Sequence, residues 1–243
     1  MKDNSLIIIP TYNEAENIKA VINKIFSLDD YHSILVVDDN SPDRTSNIVR
    51  NLKKNYEDKL FLITREKKDG LGSAYKEGFK WAIEKNFSYI FEMDADLSHD
   101  PNEIKKLKRM LVNGECDVAI GSRYLEGVSV VNWPLSRIFL SYFANIYVRL
   151  ITCMPVKDST SGFVGYKIEA LSSLDINKIK FNGYAFQIEM KFKLWKKKFK
   201  LKEHQIIFVN REQGDSKMNK NIIFEAIIGV IKLKLNSIFK LNE

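Results

Sequence analysis

The chain is poor in the residues that staple or metallate a fold. It has two cysteines, Cys116 and Cys153, without C-x-x-C spacing, so it offers no disulfide framework and reads as reduced thiols in a reducing compartment. Its three histidines, His32, His99 and His204, are scattered and form no zinc motif. It lacks any uncharged apolar run of about eighteen residues, which excludes an expected transmembrane helix. The nearest approaches are Pro134 to Ile151, broken by Arg137 and Arg149, and Ile222 to Leu235, broken by Glu225, Lys232 and Lys234. Met1 to Ser5 has neither the basic start nor the apolar stretch of a signal peptide. There is no G-x-x-x-x-G-K-[ST] loop. Gly70-Leu-Gly72 fails as G-x-G-x-x-G because Tyr75 stands in the third place, and it follows the third strand rather than the first. It reads as a tight turn that brings backbone close to a ligand or to the next helix.

What is present suits one α/β domain. The 243 residues are 45% hydrophobic, enough for a filled core and too apolar for disorder. The net charge of +7 favours an anionic partner: nucleic acid, an anionic membrane or a phosphorylated substrate.

Two periodicities alternate through the first half. Short apolar runs at Ser5 to Ile9, Ser33 to Val37, Leu60 to Thr64, Tyr89 to Met93 and Asp117 to Ile120 read as buried strands. Between them, Glu14 to Phe26, Asp43 to Leu52 (capped by Asp43), Ser73 to Glu84 and Pro101 to Leu111 read as helices. The second half predicts a helix over Pro134 to Thr152, a short strand or turn at Gly162 to Tyr166, a helix over Phe186 to Lys197, a strand over Lys200 to Val209 and a last amphipathic helix over Asn221 to Phe239. Strand–helix alternation means βαβ units, a mostly parallel Rossmann-like sheet flanked by helices, and ligands beyond the carboxyl ends of the strands. Acidic and polar residues collect at those ends: Pro10 to Glu14, Asp38 to Asp43, Arg65, and Asp94-Ala-Asp96.

Asp94 and Asp96, at i and i+2 after a strand, point the same way and repel each other unless a cation lies near. Mg²⁺ or Mn²⁺ accepts carboxylate and phosphate oxygens together and stabilises a diphosphate leaving group. The bland alternative is a polar turn, and its position at the end of the fourth strand favours the metal. Asp38 and Asp39, adjacent acids at a strand end, suit hydrogen bonds from a base or ribose. Asp43 reads only as a cap.

Together these segments resemble the family-2 glycosyltransferases of the GT-A fold. Ile9-Pro-Thr-Tyr-Asn-Glu14, Val36 to Asp43, Lys68-Asp-Gly-Leu-Gly72 and Asp94-Ala-Asp96 fall in the family's order. Gly121-Ser-Arg-Tyr124, Asn132 to Arg137, Asp158 to Phe163, Gly183 to Glu189 and Arg211 to Lys217 are similar to the dolichyl- or polyprenyl-phosphate mannosyltransferases. The resemblance spans nearly the whole chain. It implies a catalytic domain over residues 1–217 with an amphipathic helical extension over 218–243. Pro10, Tyr12, Glu14, Asp39 and Gly72 would line the nucleotide-sugar pocket, and Arg211 and Lys217 would close over the pyrophosphate. Asp94 and Asp96 would hold Mg²⁺ or Mn²⁺ and the donor diphosphate. Ser98 stands where some relatives have Gln in the metal shell, and its shorter hydroxyl implies action through water or a different metal preference. Arg123, Arg137 and Ser141 would receive the lipid phosphate, and Glu189 and Asp158 would position loops or arginines.

Residue chemistry bears independently on this reading. Arg137, Ser141, Asn145 and Arg149 recur at i+4 steps as one polar stripe on an aromatic-rich helix, suited to a phosphate head on an isoprenoid tail; an amphipathic helix with surface arginines is the alternative. A phosphate acceptor is already an anion, so no dedicated base is expected, and in-line attack would give a β-linked product from an α-linked donor. The run Lys191 to Lys202 reads as a solvated helix face in preference to a nucleic-acid or membrane patch. Ile222, Ile223, Ala226, Ile227, Val230 and Ile231 lie at helical spacing on a helix that suits a membrane interface or packs on the domain.

The expected activity is transfer of mannose from GDP-mannose to a polyprenyl phosphate at the cytoplasmic face of a membrane, without nucleic acid. A UDP-sugar donor is the near alternative, and a basic binding module with a degenerate site the remote one. Some relatives of this type rely on a separate membrane protein or a fused membrane domain, so the chain works either peripherally or with such a partner.

Overall fold

A computed structural model of the chain describes residues 4–28, 32–56, 58–210 and 220–239. Five strands, β1 (Ser5–Thr11), β2 (His32–Asp38), β3 (Leu60–Thr64), β4 (Tyr89–Glu92) and β5 (Val118–Ser122), alternate with four helices. These are α1 (Ile18–Phe26), α2 (Thr45–Lys53), α3 (Leu71–Glu84) and α4 (Glu103–Val112). There follow β6 (Val130–Val131), α5 (Leu135–Thr152), β7 (Val164–Lys167), α6 (Ile168–Ser172) and a 3-10 turn (Ile176–Lys178). The described chain closes with α7 (Tyr184–Lys196), β8 (Leu201–Gln205), β9 (Phe208–Val209) and α8 (Lys220–Phe239).

Seven strands form one sheet in the order β3-β2-β1-β4-β7-β5-β8, and β6 pairs with β9 in a separate ribbon. The side-chain period of two sorts each strand between the sheet's faces. Ile7, Ile9, Ile34 and Val36 join one core with Ile18, Val21 and Ile22 of α1 and Ile104 and Leu107 of α4. Leu6, Ile8, Leu35 and Val37 join the other, with Tyr75 and Phe79 of α3 and Phe186 and Met190 of α7. Burial on both faces explains why β1 and β2 are continuous apolar runs rather than alternating ones.

The sheet is parallel except for β7, which runs antiparallel between β4 and β5. The segment expected as a strand or turn at Gly162 to Tyr166 is thus a central strand. Gly165 pairs with Phe91 on one side and Ala119 on the other. A Cβ at Gly165 would lie 2.6 Å from Phe91 Cε1 and 3.1 Å from Leu111 Cδ1, so the aromatic ring occupies the space a side chain would need.

Three sequence expectations change in detail. The strand foreseen over Lys200 to Val209 divides: β8 stays in the sheet beside β5, while Phe208 and Val209 leave it to pair with β6. The first helix begins at Ile18 rather than Glu14, after a turn in which the Glu14 carbonyl accepts the N–H groups of Asn17 and Ile18. Lys191, read as part of a solvated basic face, is wholly buried: α7 is packed by the sheet on one side and neighbours α3 and α8, which leaves it little solvated surface.

The last helix packs on α5 and α7. Val230 and Leu233 are buried, the Tyr147 hydroxyl of α5 donates to the Ile227 carbonyl at 3.0 Å, and Lys234 Nζ donates to the Thr152 carbonyl at 3.3 Å. Ile227, Ile231, Leu235, Ile238 and Phe239 remain exposed. Among the described residues no helix is long and apolar enough to cross a membrane. Cys116 and Cys153 are both free.

Overpacking a filled core costs about 1–3 kcal/mol. Gly165→Ala is expected to lower unfolding stability by that amount, read by urea titration. An unchanged midpoint would show that Phe91 moves aside without penalty.

Candidate active site at the carboxyl edge of the sheet

Because β1 to β4 are parallel, their carboxyl ends open on one edge, and the acids and polar residues of the four strand ends meet there. The adjacent acids Asp38 and Asp39 diverge in role. Asp38 is wholly buried and accepts Thr11 Oγ1 at 2.8 Å, Ser41 Oγ at 2.6 Å, Ser41 N at 3.0 Å and Ser46 Oγ at 2.5 Å. Those bonds fill both carboxylate oxygens and tie the ends of β1 and β2 to α2. Asp43, expected as the cap of the second helix, lies one residue outside it, since Arg44 at φ +68° takes the cap position; Asp43 instead accepts Thr45 N at 3.0 Å and Ala15 N at 2.9 Å, stapling the loop after β1.

Asp39 instead meets Arg65, whose Nη1 lies 2.6 Å from Asp39 Oδ1. Burial raises the Asp39 carboxyl above its ordinary range, and the guanidinium offsets only part of that rise. Arg65 Nη2 also donates to Ser73 Oγ at 2.6 Å, and Nε lies 3.2 Å from Glu77 Oε2. The sequence places Arg65 at the ligand edge of the sheet without assigning it a role. It stands directly after β3, on the same sheet edge as the strand-end acids. Lys68 Nζ sits 4.0 Å from the centre of the Tyr12 ring, a cation–π contact that covers Tyr12. Pro10, half-buried, is the penultimate residue of β1, and Glu14 fastens the following turn, its N–H on Thr45 Oγ1 at 3.1 Å and Oε2 accepting Asn17 Nδ2 at 3.1 Å. Gly72 donates its N–H to the Asn182 carbonyl at 2.8 Å, and a Cβ there would lie 2.8 Å from the Phe186 ring. The turn brings Gly72 close to Asn182 and to Phe186 of α7, a segment more than a hundred residues further along the chain.

Asp94 and Asp96 follow β4. Asp96 Oδ1 accepts Ser98 N at 3.1 Å across Leu97, whose φ is +60°, and the Ser98 carbonyl accepts Val209 N at 3.1 Å. Ser98, 2% exposed, therefore fastens the acid loop to β9 through its backbone. His99 is buried against the Phe163 ring, with centroids 4.9 Å apart, and its Nδ1 lies 3.8 Å from Asp94 Oδ2. Burial pushes its pKa down to about 4, so the imidazole is neutral at pH 7. Among the described residues no group of three or more His, Cys, Asp or Glu is gathered to hold a metal. The protein's own donors are two carboxylates on a short turn. That set fits a divalent ion whose remaining ligands are phosphate and water oxygens, as hard cations of the Mg²⁺ type take.

The opposite wall carries cations. Arg123, just past β5, donates Nε to Asp158 Oδ2 and Nη2 to Asp158 Oδ1, both at 2.7 Å, and its own N–H to Oδ2 at 2.9 Å. Asp158 is wholly buried. Burial alone would raise its carboxyl, but the Arg123 charge and hydrogen bonds outweigh it and hold the group below the usual range. The loop is further fixed by Glu203, which accepts Lys157 N and Asp158 N at 2.8 Å each, and by Asn145, which accepts Ser159 N at 2.8 Å. Asn145 therefore leaves the polar stripe expected on α5 and serves as an internal clamp, because its side chain is buried against this loop. Trp133 stands between two guanidinium groups: Arg137 Cζ is 4.0 Å and Arg123 Cζ 5.5 Å from its ring. Arg137 Nη1 also donates to Asn210 Oδ1 at 3.1 Å. Ser141 lies one turn beyond Arg137 on α5, whose Leu135, Phe139, Phe143 and Leu150 are strongly exposed. Glu189 accepts Lys180 N and Phe181 N and so orders the loop before α7. Arg211 and Lys217 lie outside the described residues.

A largely parallel α/β sheet with a carboxylate pair at the end of its fourth strand defines a glycosyltransferase of the GT-A type. The chain belongs to glycosyl transferase family 2, whose family model matches residues 6–175. It is 39% identical over 226 residues to the polyprenol monophosphomannose synthase of Mycolicibacterium smegmatis, covering 93% of this chain and 85% of that protein. It is 36% identical to the undecaprenyl-phosphate mannosyltransferase of Micrococcus luteus, covering 93% and 92%. In fold it is similar to the glucosyl-3-phosphoglycerate synthase of Mycobacterium tuberculosis, solved with Mn²⁺, uridine diphosphate and glucosyl-3-phosphoglycerate. The TM-score there is 0.71 at 16% identity, covering 96% of this chain and 80% of that one.

The Arg123–Asp158 pair makes stability depend on acid. With its folded pKa depressed, Asp158 stabilises the protein above the unfolded carboxyl value, about 3.9, and the contribution is lost as pH falls through the folded value. Asp158→Asn is expected to cost about 3–5 kcal/mol at neutral pH, since it leaves Arg123 without its counter-charge, and to flatten the acid limb of stability against pH. Urea unfolding at pH 7 and below pH 4 reads both effects; an unaltered acid limb would contradict them.

Proposed function

We propose that the chain transfers a hexose, mannose from GDP-mannose in the first instance, to the phosphate of a polyprenyl or dolichyl phosphate at a membrane surface. The observation that carries this reading is the cationic wall. Arg123 and Arg137 flank Trp133 at the foot of a helix whose outer residues, Leu135, Phe139 and Phe143, are apolar and exposed. A phosphate head suits the two guanidinium groups and an isoprenoid tail suits the apolar surface. The two curated relatives, both named as lipid-phosphate mannose transferases, support the same acceptor class and sugar.

The chemistry follows from charge. An acceptor phosphate needs no proton removed, so neither the neutral His99 nor any other base is required. A phosphate oxygen attacks the anomeric carbon while the bond from that carbon to the donor diphosphate breaks, inverting the centre and releasing the nucleoside diphosphate. Asp94 and Asp96 would hold Mg²⁺ or Mn²⁺, which supplies charge stabilisation for the departing diphosphate. Arg123, fixed by Asp158, and Arg137, braced on Trp133, orient the acceptor phosphate and offset its repulsion from the donor. Asp39 with Arg65, together with Pro10, Tyr12 and Glu14, forms the wall for the nucleoside. The exposed faces of α5 and α8 suit peripheral attachment at the cytoplasmic face, either unaided or beside a membrane protein.

The test incubates purified chain with Mg²⁺ or Mn²⁺, a short polyprenyl phosphate in vesicles, and GDP-mannose, UDP-glucose or UDP-N-acetylglucosamine, reading lipid-linked sugar by mass spectrometry. Mannosyl lipid from GDP-mannose is expected; product from a UDP-sugar alone would change the donor and keep the acceptor. No product from any donor would refute the reading. Asp94→Asn is expected to lower kcat by about 10²-fold or more, as loss of a transition-state charge stabiliser does. Arg137→Ala is expected to raise the KM for polyprenyl phosphate about tenfold or more, the worth of a charged hydrogen bond.

A further inference from the structure

One group of buried polar side chains is not used by the reaction described above. Lys191 of α7, Glu92 of β4 and Tyr166 of β7 are wholly buried, and Gln187 of α7 is 2% exposed. Lys191 Nζ donates to the Ser161 carbonyl at 2.8 Å, to Gln187 Oε1 at 3.0 Å and to the Gln187 carbonyl at 3.3 Å. An ammonium has three donors and no acceptor, so these oxygens occupy it fully. By holding the amide oxygen of Gln187, Lys191 also fixes which way that side chain faces, and its Nε2 donates to Glu92 Oε2 at 2.5 Å. The Tyr166 hydroxyl donates to Glu92 Oε1 at 3.2 Å, closing the chain.

Such a group is a poor device for stability, because charges buried together are often replaced by apolar residues without loss. Its position is specific, however. Glu92 ends β4, two residues before Asp94. Ser161 belongs to the loop that starts at Asp158, the residue that grips Arg123. Between them passes Gly162, where a Cβ would lie 3.9 Å from Asp94 Oδ1 and 3.9 Å from Gln187 Nε2. One ammonium thus reaches the strand end that carries the acid pair through Gln187 and Glu92, and the loop that carries the cationic wall through Ser161.

We propose that Lys191 is a positioning residue for the transfer reaction: it locks the Asp94 strand end and the Asp158 loop at one separation, and so sets the distance between the donor diphosphate and the acceptor phosphate. The proposal rests on the lipid-phosphate reading of the site given above. The two substrates carry like charges and must be held close in a single geometry, and a displacement of about 1 Å costs as much as 10²-fold in rate. Lys191 and the residues it bonds are buried away from the substrates' edge, so its role is exerted through the groups it holds.

The test removes both charges together, so that no buried charge is stranded. In the full-length chain, Lys191→Met with Glu92→Gln is expected to unfold near the wild-type temperature and to bind GDP with Mn²⁺ as the wild type does. Its kcat for polyprenyl-phosphate mannosylation is expected to fall roughly 10- to 100-fold, with the KM for GDP-mannose changing less than about threefold. Wild-type kcat in this variant would overturn the proposal, as would a fall in kcat that only matches a fall in folded fraction. Should the double variant fail to fold, Gln187→Met, which cuts the link to Glu92 and leaves both charges, is read in the same way, and an unchanged kcat there overturns it. A wild-type chain that makes no lipid product from any donor overturns the underlying reading and the proposal with it; product in the wild type with full kcat in the variant overturns the proposal alone.

Discussion

Asp158 is a carboxylate without access to water, and Arg123 is the reason it stays ionised. The arrangement of the loop around Arg123 depends on that pair. One bidentate pair of bonds fixes the guanidinium, the Arg123 backbone N–H adds a third bond to the same carboxylate, Glu203 pins the amides of Lys157 and Asp158, Asn145 that of Ser159, and the Ser161 hydroxyl donates to the Gly121 carbonyl at 2.6 Å. A guanidinium prepared in this way loses no rotamer freedom when an anion arrives, so the ordering cost of binding is met during folding. Trp133 extends the arrangement: its ring lies within cation–π reach of both guanidinium groups, at 5.5 Å from Arg123 and 4.0 Å from Arg137.

Two walls of opposite charge face one edge of one sheet. The acidic wall comes from the ends of parallel strands, where the fold itself collects the carboxyl termini of β1 to β4. The cationic wall comes from a loop, a helix start and a two-stranded ribbon, which owe their places to side-chain bonds. The neutral, buried His99 lies between acid pair and ribbon and keeps that boundary free of a further charge at pH 7.

This division also explains how much was legible in the sequence. The alternating sheet and helices of the first half were readable because each element announces itself within about ten residues through its own period. The acid pair after β4 was readable for the same reason. Residue chemistry alone did not separate adjacent Asp38 and Asp39, although the family resemblance pointed to Asp39; the fold reveals that the first is saturated by three hydroxyls and a backbone N–H and the second is paired with Arg65. The second half rests on partners far apart in the chain, Arg123 with Asp158 and Lys191 with Ser161, and no local pattern marks such pairs. Lys191 was the most misleading residue: inside the run Lys-Phe-Lys-Leu-Trp-Lys-Lys-Lys its charge suggests water, whereas the helix turns that one lysine into the core.

The antiparallel strand β7 has a consequence for biosynthesis. The strands β3, β2, β1 and β4 all come from the first half of the chain and pair with one another in register. β4 and β5, however, have an empty lane between them until residues 164–167 emerge, and β5 gains its outer neighbour only with residues 201–205. Pairings that join such distant segments are slow, because the intervening chain must be ordered first. The strand β4 therefore keeps one edge unpaired until some seventy further residues have been synthesised.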